Sequence, residues 1–128
     1  MKPYGLLLIL AITVLGSCAP RTVFGPARLI YQKDRPIEIE LDSYLFRPNH
    51  IAIIGDQSPL TFHLTNTASI RHNFTLIDSP KRVLITKDLE PGKSITFTIE
   101  SLPPGNYVFC CNRFLHRQGG MKGMIMVN

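Results

Sequence analysis

The chain has 128 residues, of which 45% are hydrophobic and 18% are charged, and 14 lysines and arginines face 9 acidic residues. This length suits one globular domain with a short targeting segment and excludes two full domains. The apolar fraction, with ten prolines and nine glycines as turn formers, excludes a disordered or fibrous protein. The net charge of +5 comes from scattered basic residues that form no run, so no nucleic-acid partner is expected.

The start of the chain has the features of an export signal. Lys2 supplies a positive charge, and residues 6–15 form an apolar run that is too short to span a bilayer as a mature helix. The sequence Leu-Gly-Ser-Cys that ends at Cys18 resembles the lipobox of bacterial lipoproteins, in which the cysteine becomes the lipidated first residue. We therefore predict a signal peptide over 1–17 and a lipid anchor at Cys18. An ordinary signal peptide and an uncleaved membrane-associated helix are the alternatives.

Residues 18–35 form a mixed polar stretch, which is typical of a tether between a membrane and a domain. The folded domain is predicted over 36–128, where short runs alternate apolar and polar residues with a period of two. The predicted strands cover 37–41, 50–54, 60–65, 72–77, 94–99, 106–111 and 122–127. The segment 78–89 is interpreted as either an irregular crossover or an additional edge strand.

Seven or eight short strands in a domain of this size predict an all-β fold, a two-sheet sandwich with Greek-key connections. An open sheet is not expected, because it would leave one apolar face in water. Beyond the signal segment, no stretch has a helical period.

The final third of the chain carries residue types that bind soft metals. Cys111, His116 and Met121 follow one another with four residues in each gap. A thiolate, an imidazole and a thioether suit copper that must be stable in both the +1 and +2 states, and zinc seldom takes methionine. One equatorial ligand is missing from this loop. His72 is the best candidate for it, because Asn73 and a predicted strand follow it directly.

Over 41–128 the chain resembles the small blue copper proteins of the plastocyanin, azurin and auracyanin type, the cupredoxins. The residues that carry the resemblance are Phe46, Pro48, Ile51, Gly55-Asp56, Asn66, His72-Asn73, Pro91-Gly92 and the Gly-x-Tyr-x-Phe-x-Cys run of 105–111.

The resemblance implies a role for each residue of the predicted metal site. His72, Cys111 and His116 are expected around one copper ion as a trigonal set, with Met121 as a long axial ligand. Asn73 is expected to tie the loop of the first ligand to the segment around Cys111, which holds the ligands in place before metal arrives. The edge of His116 is expected to be the surface through which electrons pass.

Three other residues of metal-ligand type receive structural interpretations. Side chains alternate along a strand, so Phe109 and Cys111 point to one side and Cys110 to the other, where it is expected to pack as an inert thiol. A bridge between these adjacent cysteines would need a strained ring. His50 opens a predicted strand and His63 lies on an exposed strand face, so neither is expected to bind metal.

Basic and apolar residues surround the predicted copper loop. We expect them to form a docking surface for an acidic face of a redox partner, with association that slows as salt rises. The predicted docking residues are Arg71, Arg113, Phe114, Leu115, Arg117 and Lys122.

These observations predict a protein of the cell envelope, held by a lipid anchor on the periplasmic or outer side, that transfers single electrons through one copper and catalyses no reaction. The alternative is a protein that delivers or stores copper. A copper enzyme would need extra histidines such as a His-Cys-His grouping, and a two-copper electron centre would need two cysteines separated by three residues, both as ligands. A metal-free interaction domain is the remaining possibility.

Overall fold

The computed structural model describes residues 24–30, 35–78 and 81–128, and these residues form ten β-strands and no helix. The strands are β1 Arg28–Ile30, β2 Ile37–Asp42, β3 Leu45–Arg47, β4 His50–Ile53, β5 Leu60–Asn66, β6 His72–Asp78, β7 Arg82–Leu89, β8 Ser94–Ile99, β9 Gly105–Cys110 and β10 Lys122–Val127. The predicted all-β class is confirmed. A helix long and apolar enough to cross a bilayer does not occur within the described ranges.

The strands form two sheets that pack face to face. The six-stranded sheet has the order β1-β4-β10-β9-β6-β7, and the four-stranded sheet has the order β3-β2-β5-β8. Strands that are consecutive in the chain, such as β3 and β4 or β5 and β6, therefore lie in different sheets. Such crossings between sheets produce the predicted Greek-key sandwich.

The alternation of the strands places the core between the sheets. In β5 every second residue is buried, and β2 shows the same pattern. The centre of the core is aromatic: the Phe74 ring contacts the rings of Phe62, Phe109 and Phe46 at centroid separations of 6.0, 5.2 and 6.2 Å. His63 lies on the outer face of its sheet, where its Nδ1 is 2.8 Å from Thr96 Oγ1.

The structure adds three strands to the seven that were delimited from the sequence. β1 lies inside the segment predicted as a tether and pairs in parallel with β4, so the sheet begins before residue 36. β3 pairs with β2 across a two-residue turn. β7 resolves the ambiguity over 78–89, since it pairs with β6 at the edge of the larger sheet. The predicted signal peptide 1–17, Cys18 and residues 19–23 and 31–34 of the predicted tether lie outside the described residues.

One end of the sandwich gathers three connections. They are the turn between β2 and β3, the loop between β5 and β6, and the long loop of 111–121 between β9 and β10. The side chains of Tyr44 and His116, from the first and the last of these, are in ring contact with His72 at the start of β6. Most of the predicted site residues are found here.

Candidate metal centre

The structure brings His72, Cys111 and His116 together at this end of the sandwich. The Nδ1 atoms of the two imidazoles are 3.1 Å apart, and Cys111 Sγ is 3.4 Å from His116 Nδ1 and 3.9 Å from His72 Nδ1. A point equidistant from three atoms at these separations lies about 2 Å from each, which is close to the length of a metal–nitrogen bond. The three donors therefore surround a position that one metal ion fits.

Two strands and one loop place these donors. His72 is the first residue of β6, and Cys111 follows the last residue of β9, so the ends of two neighbouring strands fix two ligands. His116 lies in the loop, where its backbone N–H donates to the carbonyl of Arg113. Leu115 adopts a φ of 64°, which turns the chain back on itself just before His116. The loop of 111–121 is thus held by its own backbone hydrogen bonds.

Met121 closes the same loop. Its backbone N–H donates to the carbonyl of His116, and its carbonyl accepts from the N–H of Cys111, each at 3.1 Å. The Met121 side chain is fully buried and belongs to the same core cluster as Cys111. This position beside both residues suits the predicted role of an axial thioether. The donor set as a whole, two imidazoles, one thiol and one buried thioether, fits one copper ion in a type 1 site.

A network of hydrogen bonds around Asn73 links the two strands that carry ligands. The Asn73 side chain accepts from the backbone N–H of Asn112 at 2.9 Å and donates to the Asn112 side-chain oxygen. The Asn73 backbone N–H points at Cys111 Sγ at 3.4 Å, a contact that stabilises a thiolate. Thr75 also donates to the Asn73 side chain. These bonds join the start of β6, which carries His72, to the segment that follows Cys111.

Burial and nearby positive charge both favour the neutral form of the two imidazoles. Burial lowers the pKa of His72, and the nearby His116 and Arg113 lower it further. Burial, followed by the charge of Arg113, lowers the pKa of His116. A neutral imidazole has a free lone pair on one nitrogen, so these shifts favour the form that binds a metal.

Cys110 has a different environment from Cys111. Its side chain is fully buried and points to the opposite face of β9, where it lies opposite Thr75 in the sheet register. Burial raises the pKa of Cys110, which favours the uncharged thiol. The two cysteines therefore occupy opposite faces, and only the sulfur of Cys111 lies beside the imidazoles. His50 and His63 likewise lie outside the group of three donors.

The predicted docking residues lie around the loop and differ in their exposure and in their ion pairs. Phe114 and Leu115 are 85% and 58% exposed, so they form an apolar surface next to His116. Arg71 donates to Glu90 across 2.7 Å, and this ion pair reduces its free positive charge. Arg113, Arg117 and Lys122 form no ion pair with any other described residue.

Sequence reasoning missed two residues at the centre. The predicted site lacks Asn112, although its place directly after Cys111 makes it the natural partner for Asn73. Tyr44 was also missed: its ring lies 4.9 Å from the His116 ring and 6.3 Å from the His72 ring. No signal in the sequence pointed to Tyr44, because the turn that carries it is far from both histidines in the chain.

A two-sheet sandwich that holds two imidazoles and one thiol at one end defines a class of mononuclear copper domains. The chain belongs to the cupredoxin-like domain family, whose model matches residues 5–127. This finding confirms the family suggested by the motifs. No curated protein matches the chain in sequence.

Solved structures of copper proteins share the fold. An auracyanin from Roseiflexus castenholzii is 24% identical with a TM-score of 0.61, and the match covers 71% of this chain and 94% of that chain. An azurin from Methylomonas sp. strain J is 12% identical with a TM-score of 0.63, covering 74% and 98%. A copper-containing nitrite reductase from Thermus scotoductus is 18% identical with a TM-score of 0.57, and the match covers 80% of this chain but 28% of that chain.

Proposed function

We propose that this protein carries single electrons between partners of the cell envelope through one copper ion held by His72, Cys111 and His116, with Met121 as axial ligand. The observation that carries the proposal is the convergence of two Nδ1 atoms and one Sγ atom within 3.9 Å of one another. When bound at such a site, copper accepts and returns one electron by changing between the +2 and +1 states.

The chain contributes rigidity and exclusion of water. Fully buried His72 and Cys111 keep solvent from one side of the site. The Asn73 network joins β6 to the segment after Cys111, so the donors are held before metal binds. A site that keeps its geometry in both oxidation states has a low reorganisation cost, which is the property an electron carrier needs.

The similar structures support a carrier over an enzyme. Auracyanin A from Chloroflexus aurantiacus is described as a blue copper protein, and it is matched over 73% of this chain and 100% of its own length. The nitrite reductase, in contrast, is far longer than the matched region. Within the described residues, the group of His72, Cys111 and His116 is the one cluster of metal-ligand type.

Loading the protein with Cu(II) tests the proposed metal site. We expect an intense visible absorption from the bond between copper and the Cys111 thiolate, which Cys111→Ser abolishes. Cys110→Ser is the matched control, because that thiol is equally buried but lies on the other face of β9; its spectrum should equal that of the unmodified protein. Loss of the band in Cys110→Ser with retention in Cys111→Ser would refute the assignment.

A copper-exchange assay separates electron transfer from copper delivery. A carrier keeps its copper in the presence of an acceptor apoprotein while it exchanges electrons with a small redox reagent. Rapid transfer of the ion to the acceptor, with slow electron exchange, would instead favour the delivery function.

The docking surface is proposed to be the exposed Phe114 and Leu115 side chains with the positive charges of Arg113, Arg117 and Lys122. A partner with an acidic face would then associate at a rate that falls as salt rises. Arg117→Glu should lower this rate and its dependence on salt. Lys81→Glu is the control, since it makes the same change of charge in the turn between β6 and β7, at the opposite end of β6 from His72. Equal effects of the two changes would contradict this docking surface.

Export and a lipid anchor at Cys18 form the last part of the proposal. Cys18→Ser should release the protein from the membrane fraction and prevent incorporation of labelled fatty acid. Retention of both membrane association and label in Cys18→Ser would show that the lipobox is not used.

A further inference from the structure

The turn between β2 and β3 places an aromatic ring over the metal-binding loop. Tyr44 is the second residue of this turn and has a φ of 59°. This is a left-handed backbone conformation, which residues other than glycine and asparagine adopt at a cost in free energy. The turn is fixed by a hydrogen bond from the Ser43 backbone to Asp42 and by the bond from Arg47 to Asp42, each 2.6 Å long. These bonds aim the Tyr44 ring out of the sheet and toward the loop.

The Tyr44 ring contacts both imidazoles and lies near Gly119 of the metal-binding loop. It meets the His116 ring edge-on, with centroids 4.9 Å apart and an interplanar angle of 74°, and the His72 ring at 6.3 Å and 80°. Its Cδ1 atom lies 3.8 Å from the position that a Cβ atom on Gly119 would occupy. The other side of Tyr44 is open to water, since the residue is 48% exposed. Tyr44 therefore covers the solvent-facing side of the donor group.

Besides Tyr44, the His116 ring contacts the His72 ring, with centroids 4.9 Å apart. His116 is partly buried, whereas His72 is fully buried inside the sandwich. Edge-to-face contacts between rings favour one orientation of the partner. Because the contacts are made by the ring of Tyr44, its hydroxyl group is not needed for them.

We propose that Tyr44 is a positioning residue that holds the His116 imidazole in its ligating orientation and limits access to it, and thereby controls how fast metal enters and leaves the site. The part that concerns metal rests on the proposed copper function. The part that concerns His116 is a property of this chain alone and is tested without metal.

The first test measures the accessibility of His116 in the metal-free protein by reaction with diethyl pyrocarbonate, followed by mass spectrometry of the modified peptides. Tyr44→Asn removes the ring and keeps the turn, because asparagine tolerates a positive φ. We expect His116 to react several-fold faster in Tyr44→Asn and at the original rate in Tyr44→Phe. His63, on the outer face of the four-stranded sheet, should react at one rate in all three proteins. An unchanged rate at His116 in Tyr44→Asn overturns the proposal.

Two further measurements separate the possible explanations. In the unmodified metal-free protein, nuclear Overhauser contacts between the Tyr44 and His116 rings are expected whether or not any variant folds, and their absence overturns the proposal. Release of Cu(I) to a chelator should be several-fold faster from Tyr44→Asn and unchanged in Tyr44→Phe and Ser43→Ala. If Tyr44→Phe behaves like Tyr44→Asn, the hydroxyl acts and the ring-based proposal is wrong. Failure of the unmodified protein to bind copper would end the copper function and leave the result on His116 intact.

Discussion

A single methyl group added at Gly123 is predicted to displace the Phe109 ring from the core. Gly123 in β10 lies directly opposite Phe109 in β9, and a Cβ atom there would be 2.1, 2.3 and 2.7 Å from three atoms of the ring. Since carbon atoms in contact sit about 3.5 to 4 Å apart, the ring would have to move by about 1.5 Å. Phe109 is fully buried and packs against Phe46 and Phe74, so this space is filled.

The change that Gly123→Ala makes in the free energy of unfolding follows from two opposing effects. Overpacking of a filled core costs about 1 to 3 kcal/mol, and a ring confined on its far side belongs at the upper end of that range. Alanine recovers about 0.5 to 1 kcal/mol relative to glycine inside a strand. Gly123→Ala should therefore lower the free energy of unfolding by about 2 kcal/mol. With a urea dependence of about 2 kcal/mol per molar, the unfolding midpoint falls by about 1 M.

Urea unfolding of Gly123→Ala, Gly25→Ala, Phe109→Leu and the double variant with Gly123→Ala and Phe109→Leu checks this reasoning. At Gly25 the nearest atom to an added Cβ is Asn49 Oδ1 at 3.8 Å, so this control should stay within about 0.5 kcal/mol of the unmodified protein. Phe109→Leu replaces the ring with a shorter side chain and should partly restore the stability of Gly123→Ala, with a coupling of about 1 kcal/mol or more. Additive effects, or a Gly123→Ala protein as stable as the original, would refute the steric explanation.

Three further changes test the polar contacts of the fold. Asn73→Ala and Asn66→Ala each remove a buried amide that makes three hydrogen bonds and should each cost about 2 kcal/mol in urea unfolding, but only Asn73→Ala should alter the copper spectrum. Tyr107→Phe removes a 2.7 Å bond to the Pro103 carbonyl and should cost about 1 kcal/mol at neutral pH. Burial raises the pKa of Tyr107, so the stability gained from keeping its hydroxyl protonated is full below about pH 10 and is lost as the pH rises through the folded pKa. When the pH is raised from neutral to above the folded pKa, Tyr107→Phe should therefore lose less stability than the unmodified protein.

The fold was predictable where a strand carries its own period-two pattern. β5 and β8 alternate fully between the core and solvent, so their positions follow from the sequence. β1 and β3 have three residues each, too few to show a period, and they exist because β4 and β2 offer them backbone partners. β7 lies at a sheet edge with most of its residues exposed, and the irregularity beside Leu76 shifts its pairing, so its alternation is obscured.

The metal centre was predictable where the chain itself brings the ligands near each other. Cys111, His116 and Met121 belong to one loop, and their spacing alone suggests a common ion. His72 comes from a different strand and was chosen because a strand follows it. Tyr44 comes from the other sheet, and its contact with His116 depends on how the two sheets face each other. That relation is a property of the packed sandwich, which a local pattern does not encode.

The positive charge at the metal-binding end is smaller than the number of basic residues there suggests. Arg71 is adjacent to His72 in the chain, but its guanidinium forms an ion pair with Glu90 at 2.7 Å. The pair therefore adds little net positive charge near the metal donors. Arg113 forms no ion pair with another described residue, and its charge lowers the pKa of both imidazoles. Arg113 belongs to the loop that carries His116, so this loop contributes positive charge near the donors. Because that loop also exposes Phe114, the same segment carries a metal donor, a positive charge and an apolar side chain of the proposed docking surface.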